Sequence, residues 1–355
     1  MIGERIKQAR KASGLSQRGL AERAGISAMA VSKYENNQSV PSSNVLLQLA
    51  QALGVRAEYF FRTTQVELRE VEYRKHTKLP KKVLVRIEGD IKEQIERYLE
   101  LEEILPNSLM GEFRLPDNLP PAIKSYDEIE EIAVRVRNEW NLGRDPIPDL
   151  TGALEERGVR VFQTEAQHDG KFDGLACSVN GAPVIVVGQD WPGDRQRFTL
   201  AHELGHLILA DRINNNLDIE RAANRFAGAF LAPDSEVYKE LGEKRSWFEP
   251  YELCVLKKAY GLSMGGWLHR ARDLKIIPQS TYQEIYRYFN QRGWHKQEPC
   301  DEYPREEPQV FKQLVFHALA EDFISESKAA ELMRMAVVEF RSIRNVDHGK
   351  QAVNQ

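Results

Sequence analysis

Phe198-Thr-Leu-Ala-His-Glu-Leu-Gly-His-Leu-Ile-Leu209 predicts one helix in which apolar residues surround a glutamate and two histidines. On an α-helix, positions i and i+4 lie about 40° apart around the axis, so His202 and His206 project from one face, one turn apart. Neutral imidazoles ligate zinc, zinc acidifies water, and a carboxylate can take the released proton. The spacing therefore predicts a zinc site with Glu203 as the general base.

The residues downstream predict a second helix over 218–233, with apolar residues at three-to-four spacing and Pro233 ending it. Glu220 follows His206 by fourteen residues, which leaves room for a reversal and for an antiparallel helix that supplies a third ligand. Asn224, one turn later, could support a ligand by hydrogen bonding. The competing interpretation, an amphipathic helix carrying two ordinary histidines, leaves this downstream pattern unexplained.

These two stretches together resemble the ImmA/IrrE family of metallopeptidases, as do the segments 154–161, 173–175 and 183–187, which are similar to the strands that precede the zinc helix in that family. The resemblance implies a gluzincin-like site with His202, His206 and Glu220 as zinc ligands and Glu203 as general base. Members of the family cleave repressors of the Xre type or are linked to mobile elements and stress responses. A regulatory protein is therefore the expected substrate.

Residues 1–62 predict five short helices around a small apolar core. Ser16 can cap the helix that begins at Gln17, Gly25 can end it, and Ser27 can cap the next helix, which covers 28–35. This punctuation is typical of a helix-turn-helix, with the 28–35 segment as its recognition helix.

The segment resembles the Xre, or lambda-repressor-like, DNA-binding domain, whose second motif helix enters the major groove. The roles of matching positions in that domain imply that Gln17 and Ser27 bind phosphates. They also imply that four residues face the bases: Ala28, Met29, Ser32 and Lys33. Ala28 and Met29 could contact thymine methyl groups, and Lys33 could contact guanine. Residues 1–62 hold nine Lys or Arg against four Asp or Glu, whereas the whole chain carries a net charge of −4. This local positive charge favours a double-stranded DNA operator as the partner.

Length and composition are those of a protein with two or three globular domains, since the 355 residues are 42% hydrophobic and 29% charged. No stretch is apolar for long enough to cross a membrane, and no signal segment begins the chain, so we expect a cytoplasmic protein. Cys177, Cys254 and Cys300 stand singly, which predicts small buried residues and no disulfide framework.

We predict a mainly α fold with a small β-sheet (α+β) in four parts: a helix-turn-helix domain over 1–66, a helical connector over 67–145, a zinc peptidase domain over 146–280, and a helical extension with a frayed tail over 281–355. The connector holds two predicted helices, 83–104 and 126–140. The first has an apolar stripe at Ile87, Ile91, Ile95 and Leu99. This stripe predicts packing against the peptidase domain or, alternatively, a dimer helix.

The function these patterns predict is a DNA-binding regulator that carries a zinc-dependent metallopeptidase and cleaves another regulator. The alternative is a non-catalytic repressor or antitoxin whose peptidase-like domain binds a partner, such as a toxin, or senses a ligand. A homodimer is expected because readers of this kind bind two half-sites about one helical turn apart.

Overall fold

A computed structural model describes residues 2–61, 69–72, 80–105, 111–117, 119–165, 172–214 and 216–345. In these residues the α-helices are α1 (Ile2–Ala12), α2 (Gln17–Ala24), α3 (Ala28–Glu35), α4 (Ser43–Leu53), α5 (Lys81–Ile104), α6 (Tyr126–Glu139), α7 (Leu150–Glu155), α8 (Gly193–Leu209), α9 (Ile219–Leu231), α10 (Asp234–Leu241), α11 (Pro250–Tyr260), α12 (Met264–Asp273), α13 (Gln279–Gln291), α14 (Val310–Ala320), α15 (Glu326–Leu332) and α16 (Val337–Asn345). The strands are β1 (Arg69–Glu72), β2 (Arg160–Thr164), β3 (Gly174–Val179) and β4 (Ala182–Gly188). The predicted α+β class is confirmed.

The chain forms two compact units. The first contains Met1–Leu68, Lys78–Leu109 and Gln309–Gln355, and the second contains Arg69–Thr77 and Met110–Pro308. The predicted four parts therefore describe stretches of sequence rather than compact units, because the stretches 67–145 and 281–355 each contribute to both. The end of the predicted frayed tail, 346–355, lies outside the described residues.

The helix-turn-helix lies in the first unit and has the predicted punctuation. The Ser16 side chain accepts a hydrogen bond from the Gly19 amide at 3.0 Å, and Ser27 accepts one from Ala30 at 3.1 Å. Gly25 follows α2 with φ 66°, a left-handed conformation that glycine adopts without strain. Val31 is fully buried in the core that α1, α2 and α4 share with a 3₁₀ helix over Ala57–Phe61.

The stripe on α5 packs within the first unit, so both predictions for it were wrong. Ile87, Ile91 and Ile95 are at most 1% exposed. Helix α5 lies against α1, where Gly89 permits a close approach, since a Cβ there would stand 2.7 Å from the Cα of Ala12. Amphipathic periodicity identifies a buried face without identifying the element that covers it.

The C-terminal helices complete the first unit by packing against α5. The Tyr98 and Phe311 rings stack with centroids 5.7 Å apart, and the Lys328 ammonium lies 2.5 Å from a Glu100 oxygen. Ser325 caps α15 by accepting a hydrogen bond from the Lys328 amide at 3.2 Å. The chain thus returns to its N-terminal domain after passing through the second unit.

The second unit is built on a four-stranded sheet with the order β1-β3-β4-β2. Strands β2 and β4 are parallel, whereas β3 is antiparallel to both β1 and β4. Two of the three predicted strand segments are strands, but 154–161 is the end of α7 followed by the start of β2. Asp149 caps α7 at the Gly152 amide, and Gly158, with φ +80°, follows its end.

Helix α8 lies on strands β3 and β4, and α9 packs against α8, with which it shares an apolar core. Residues Leu200, Leu204, Phe226 and Phe230 are fully buried in it. Helices α11 and α12 join the same core, α12 through the buried Trp267 and Leu268. None of the helices in the described residues is long and apolar enough to span a bilayer.

The prediction that the cysteines form no disulfide was wrong. Cys254 of α11 is bonded to Cys300, with Cα atoms 5.5 Å apart, and Cys177 is the cysteine that stays free. The two bonded residues are separated by 46 positions. Their pairing depends on how α11 and the segment after α13 pack, and single cysteines at such a spacing carry no sequence signal of it.

Candidate metal centre and nucleic-acid interface

The two histidines and Glu220 converge at one point. The Nε2 atoms of His202 and His206 are 2.9 Å apart. The Glu220 carboxylate lies 3.5 Å from His202 Nε2 and 3.4 Å from His206 Nε2. Both histidines are buried, and the Glu220 side chain is 35% exposed, so the group is reached from the Glu220 side.

Close contact between α8 and α9 makes this convergence possible. Gly205, between the two histidines, has no side chain, and a Cβ there would lie 3.1 Å from the Phe226 ring and 3.3 Å from the Cα of Ala223. Asp218 begins α9 by accepting a hydrogen bond from the Arg221 amide at 2.7 Å. Glu220 therefore stands in the first turn of α9, opposite the two histidines.

The donor set fits a zinc ion. Zinc takes imidazole nitrogen and carboxylate oxygen at about 2.0–2.1 Å in tetrahedral geometry, which places neighbouring ligand atoms about 3.3 Å apart. The three separations, 2.9, 3.4 and 3.5 Å, lie around this value. The same three residues form the His/Cys/Asp/Glu cluster with metal-ligand spacing found among the described residues.

Asn224 contacts the ring nitrogen of His202 that faces away from the cluster. Its Oδ1 lies 2.9 Å from His202 Nδ1. A carbonyl oxygen can only accept, so Nδ1 carries the proton in this contact and the lone pair of Nε2 points toward Glu220 and His206. This is the tautomer that a ligand bound through Nε2 requires.

Glu203 is 1% exposed and lies on α8 between the two histidines. A cavity of about 950 Å³ adjoins the cluster, with Glu220 and Asn224 in its wall. Its other walls come from α8, α12, α13 and the segment after α13. A space of this size can take several residues of a peptide.

In the helix-turn-helix, the residues predicted to bind phosphate already make hydrogen bonds. The Gln17 amide nitrogen donates to a Glu35 oxygen at 2.8 Å, which leaves its second N–H for another acceptor. The Ser27 oxygen caps α3, and its hydroxyl proton can still be donated. Both are therefore compatible with phosphate contacts.

The residues predicted to face the bases share the outer side of α3. Met29 is 70% exposed and Lys33 is exposed, whereas Ala28 and Ser32 are half-buried. A methionine with this exposure is not part of the core of its domain, which favours a contact outside the chain.

A buried ion pair that was not predicted from the sequence fixes α3. Arg10 donates two hydrogen bonds to Glu35, at 2.5 and 2.9 Å, and Glu35 is 4% exposed. Together with the bond from Gln17, this ties the end of the recognition helix to α1 and α2. The available signal was the position of Glu35 one turn after the buried Val31, on the inner side of the helix.

Comparison with known proteins agrees with both the helix-turn-helix and the domain that holds the His/Glu cluster. Residues 6–60 match the helix-turn-helix family model, and residues 154–272 match the model of the IrrE N-terminal-like domain. The chain joins an Xre-like helix-turn-helix domain to an IrrE N-terminal-like domain.

Two bacterial relatives are named as transcriptional regulators. A transcriptional regulator in the ATPase CF(0) region of Rhodospirillum rubrum is 40% identical over 60 residues, which are 17% of this chain and 56% of that protein. An HTH-type transcriptional regulator of Sinorhizobium fredii is 27% identical over 124 residues, 35% of this chain and 82% of that protein. The chain thus spans only about half the length of the first relative.

A buried arginine anchors α8, the helix that carries His202 and His206. Arg197, five residues before His202, is fully buried, and its guanidinium donates to Glu306 at 2.5 Å and to the Ile147 carbonyl at 2.6 Å. Glu306 also accepts from the Thr151 amide at 2.9 Å. The partners are separated by 109 positions, and the sequence carries no local signal of the pair.

A second buried network holds α9 of the same domain. Arg225, next to Asn224, pairs with Glu130 of α6, and Glu130 accepts two further hydrogen bonds from Arg270 of α12, at 2.6 and 2.9 Å. Because α9 carries Glu220 and Asn224, these ion pairs fix the position of two predicted site residues.

His269 lies in the cavity wall. Burial lowers the pKa of His269, and the positive charge of Arg272 lowers it further, while Asp273 opposes the shift. The ring packs against Tyr282, with centroids 5.3 Å apart. His269 is therefore neutral at neutral pH, with one ring nitrogen that donates and one that accepts.

Proposed function

We propose that this chain is a DNA-binding transcriptional regulator that carries a zinc-dependent peptidase and cleaves another regulatory protein. The observation that carries the proposal is the convergence of His202, His206 and Glu220, with Glu203 buried beside them and a large cavity adjoining the cluster. The match to the IrrE N-terminal-like domain supports the same assignment.

His202, His206 and Glu220 would hold the zinc. When bound, zinc supplies a Lewis acid that acidifies water and polarises a peptide carbonyl. Glu203 takes the proton from the attacking water and returns it to the departing amine. Asn224 holds His202 in the tautomer that binds through Nε2. Manganese or iron would suit the same donor atoms under some conditions.

The helix-turn-helix supplies the DNA contact. Lys33 and Met29 point outward from α3, and the Arg10–Glu35 pair holds that helix rigid. Base contacts through Ala28, Met29, Ser32 and Lys33, with phosphate contacts through Gln17 and Ser27, would read one half-site. A homodimer would bind two half-sites about 34 Å apart.

Two substitutions separate the two activities. We expect Glu203→Gln to abolish cleavage and to leave zinc content and operator binding unchanged, because the amide is nearly isosteric and is not among the ligands. We expect Lys33→Ala to weaken operator binding and to leave zinc content unchanged.

The measurement compares new protein N-termini in cells that express wild type or Glu203→Gln, together with operator footprints of both proteins. A product that appears only with wild type supports the peptidase. Regulation that persists in Glu203→Gln and is lost in Lys33→Ala, with no product in either, would overturn it in favour of a non-catalytic repressor.

A further inference from the structure

Strand β3 lies beside the metal-binding helix. Gly174 begins β3, and a Cβ there would lie 2.5 Å from Cγ2 of Thr199, which precedes His202 by three residues on α8. The sheet order is β1-β3-β4-β2, so β3 would be an edge strand next to this helix if β1 were absent. An edge strand offers unpaired N–H and C=O groups on which an extended peptide can pair.

A segment of the same chain occupies that edge. Strand β1 pairs antiparallel with β3, with Arg69 opposite Ser178 and Glu72 opposite Ala176. It therefore runs toward the Gly174 end of β3, the end that touches α8. At about 3.3 Å per residue, Ala176 is about 7 Å from Gly174 along the strand.

The sequence of β1 has a low intrinsic propensity to form a strand. Arg69-Glu-Val-Glu72 contains one β-branched residue and three charged ones, and glutamate is depleted in strands. The pairing also includes a register shift within its four residues. The pairing that places β1 at this edge is made by backbone groups, which any extended peptide also offers.

We infer that β1 is an intramolecular competitor of the substrate. It occupies the edge of β3 on which an extended stretch of a protein substrate would pair. This inference rests on the proposed peptidase function and concerns the regulation of that site. A tethered segment has an effective concentration near the millimolar range, so it would suppress a weak peptide ligand while yielding to a tighter protein partner.

The test uses proline to remove the pairing. Successive N–H groups of a strand point to opposite sides, so replacing both Glu70 and Val71 by proline removes at least one N–H that faces β3. The matched control replaces both residues by threonine, which keeps both N–H groups and favours strands. Both changes are made in the full-length Glu203→Gln protein, so that a bound peptide is not cut.

The probe is a fluorescein-labelled peptide of residues 66–74, which contains no histidine and no cysteine that could bind zinc by itself. Its affinity is measured by fluorescence anisotropy, with zinc content and far-ultraviolet circular dichroism as checks of folding. We expect binding at least tenfold tighter to the proline variant than to the threonine variant, whose affinity should match that of the parent.

Equal affinity in all three proteins, or no binding to a folded proline variant, would overturn the inference. The readout needs no turnover. If the protein neither binds zinc nor cleaves a substrate while the proline effect persists, the proposed peptidase function is refuted and the inference about β1 stands. If cleavage occurs and the proline and threonine variants bind the peptide with equal affinity, the inferred role of β1 is refuted and the proposed peptidase function stands.

Discussion

Replacing Asn224 by leucine tests how the proposed metal centre is held. The change removes the oxygen that lies 2.9 Å from His202 Nδ1 and keeps the size of the side chain. Without this acceptor, the His202 ring is free to adopt the other tautomer, whose Nε2 carries the proton and cannot bind a metal. We therefore expect weaker zinc binding without loss of a ligand.

The exposure of Asn224 decides the expected size of the effect. Loss of such a supporting contact weakens metal binding by about 10- to 100-fold. Asn224 itself is exposed, so water can replace part of the lost hydrogen bond, and the lower value applies. We expect about tenfold weaker binding, or about 1.4 kcal/mol. The apo protein should change in stability by no more than about 0.5 kcal/mol, as is usual at exposed positions.

The assay is competition for zinc against a chromophoric chelator at fixed pH. Asn224→Asp is the matched control, because it keeps an acceptor oxygen and makes it more basic, so its affinity should equal or exceed that of wild type. Wild-type affinity in Asn224→Leu would refute the reasoning. So would an equal loss in the aspartate and leucine variants, since the acceptor would then be irrelevant.

Three further predictions concern stability. Reducing the Cys254–Cys300 bond, which closes a loop of 46 residues, should lower the free energy of unfolding by up to about 4 kcal/mol, with Cys254→Ser insensitive to reductant in thermal melts. Glu35→Gln leaves the Arg10 guanidinium without its carboxylate and should destabilise the helix-turn-helix by about 3 kcal/mol in denaturant titrations. The lowered pKa of His269 means that the unfolded state binds a proton first as pH falls. Stability should therefore drop below about pH 6.5, less steeply in His269→Asn, and equal slopes would exclude this residue as the cause.

The sequence predicted the parts of the site that lie within one or two helical turns. His202, Glu203 and His206 are placed by helical geometry alone, and the caps at Ser16 and Ser27 follow from local hydrogen bonding. Glu220 and Asn224 could be proposed because only a short connection separates α8 from α9. Where residues this close in sequence share one face, the pattern is enough to predict their contact.

Contacts between distant segments could not be predicted in this way. The prediction that α5 has a buried apolar face was correct, yet the element on that side is a C-terminal helix, whose Phe311 stacks on Tyr98. Arg197 and Glu306, like the two bonded cysteines, meet only because separate segments fold against each other. Periodicity states which side of an element is buried, whereas a pairing between distant residues depends on the whole packing of the domain.

Strand β1 illustrates the same limit and connects it to function. A strand rich in β-branched residues would have been predicted from its own sequence and would also be hard to displace, since its side chains would contribute to the pairing. Residues 69–72 lack that composition, and they are identified as a strand by their pairing with β3. On the inference made above, a segment of this composition would be displaced by a peptide with stronger strand-forming side chains. The charged composition of residues 69–72 therefore explains why β1 was not predicted from the sequence. The same composition suits a segment that a substrate must be able to displace.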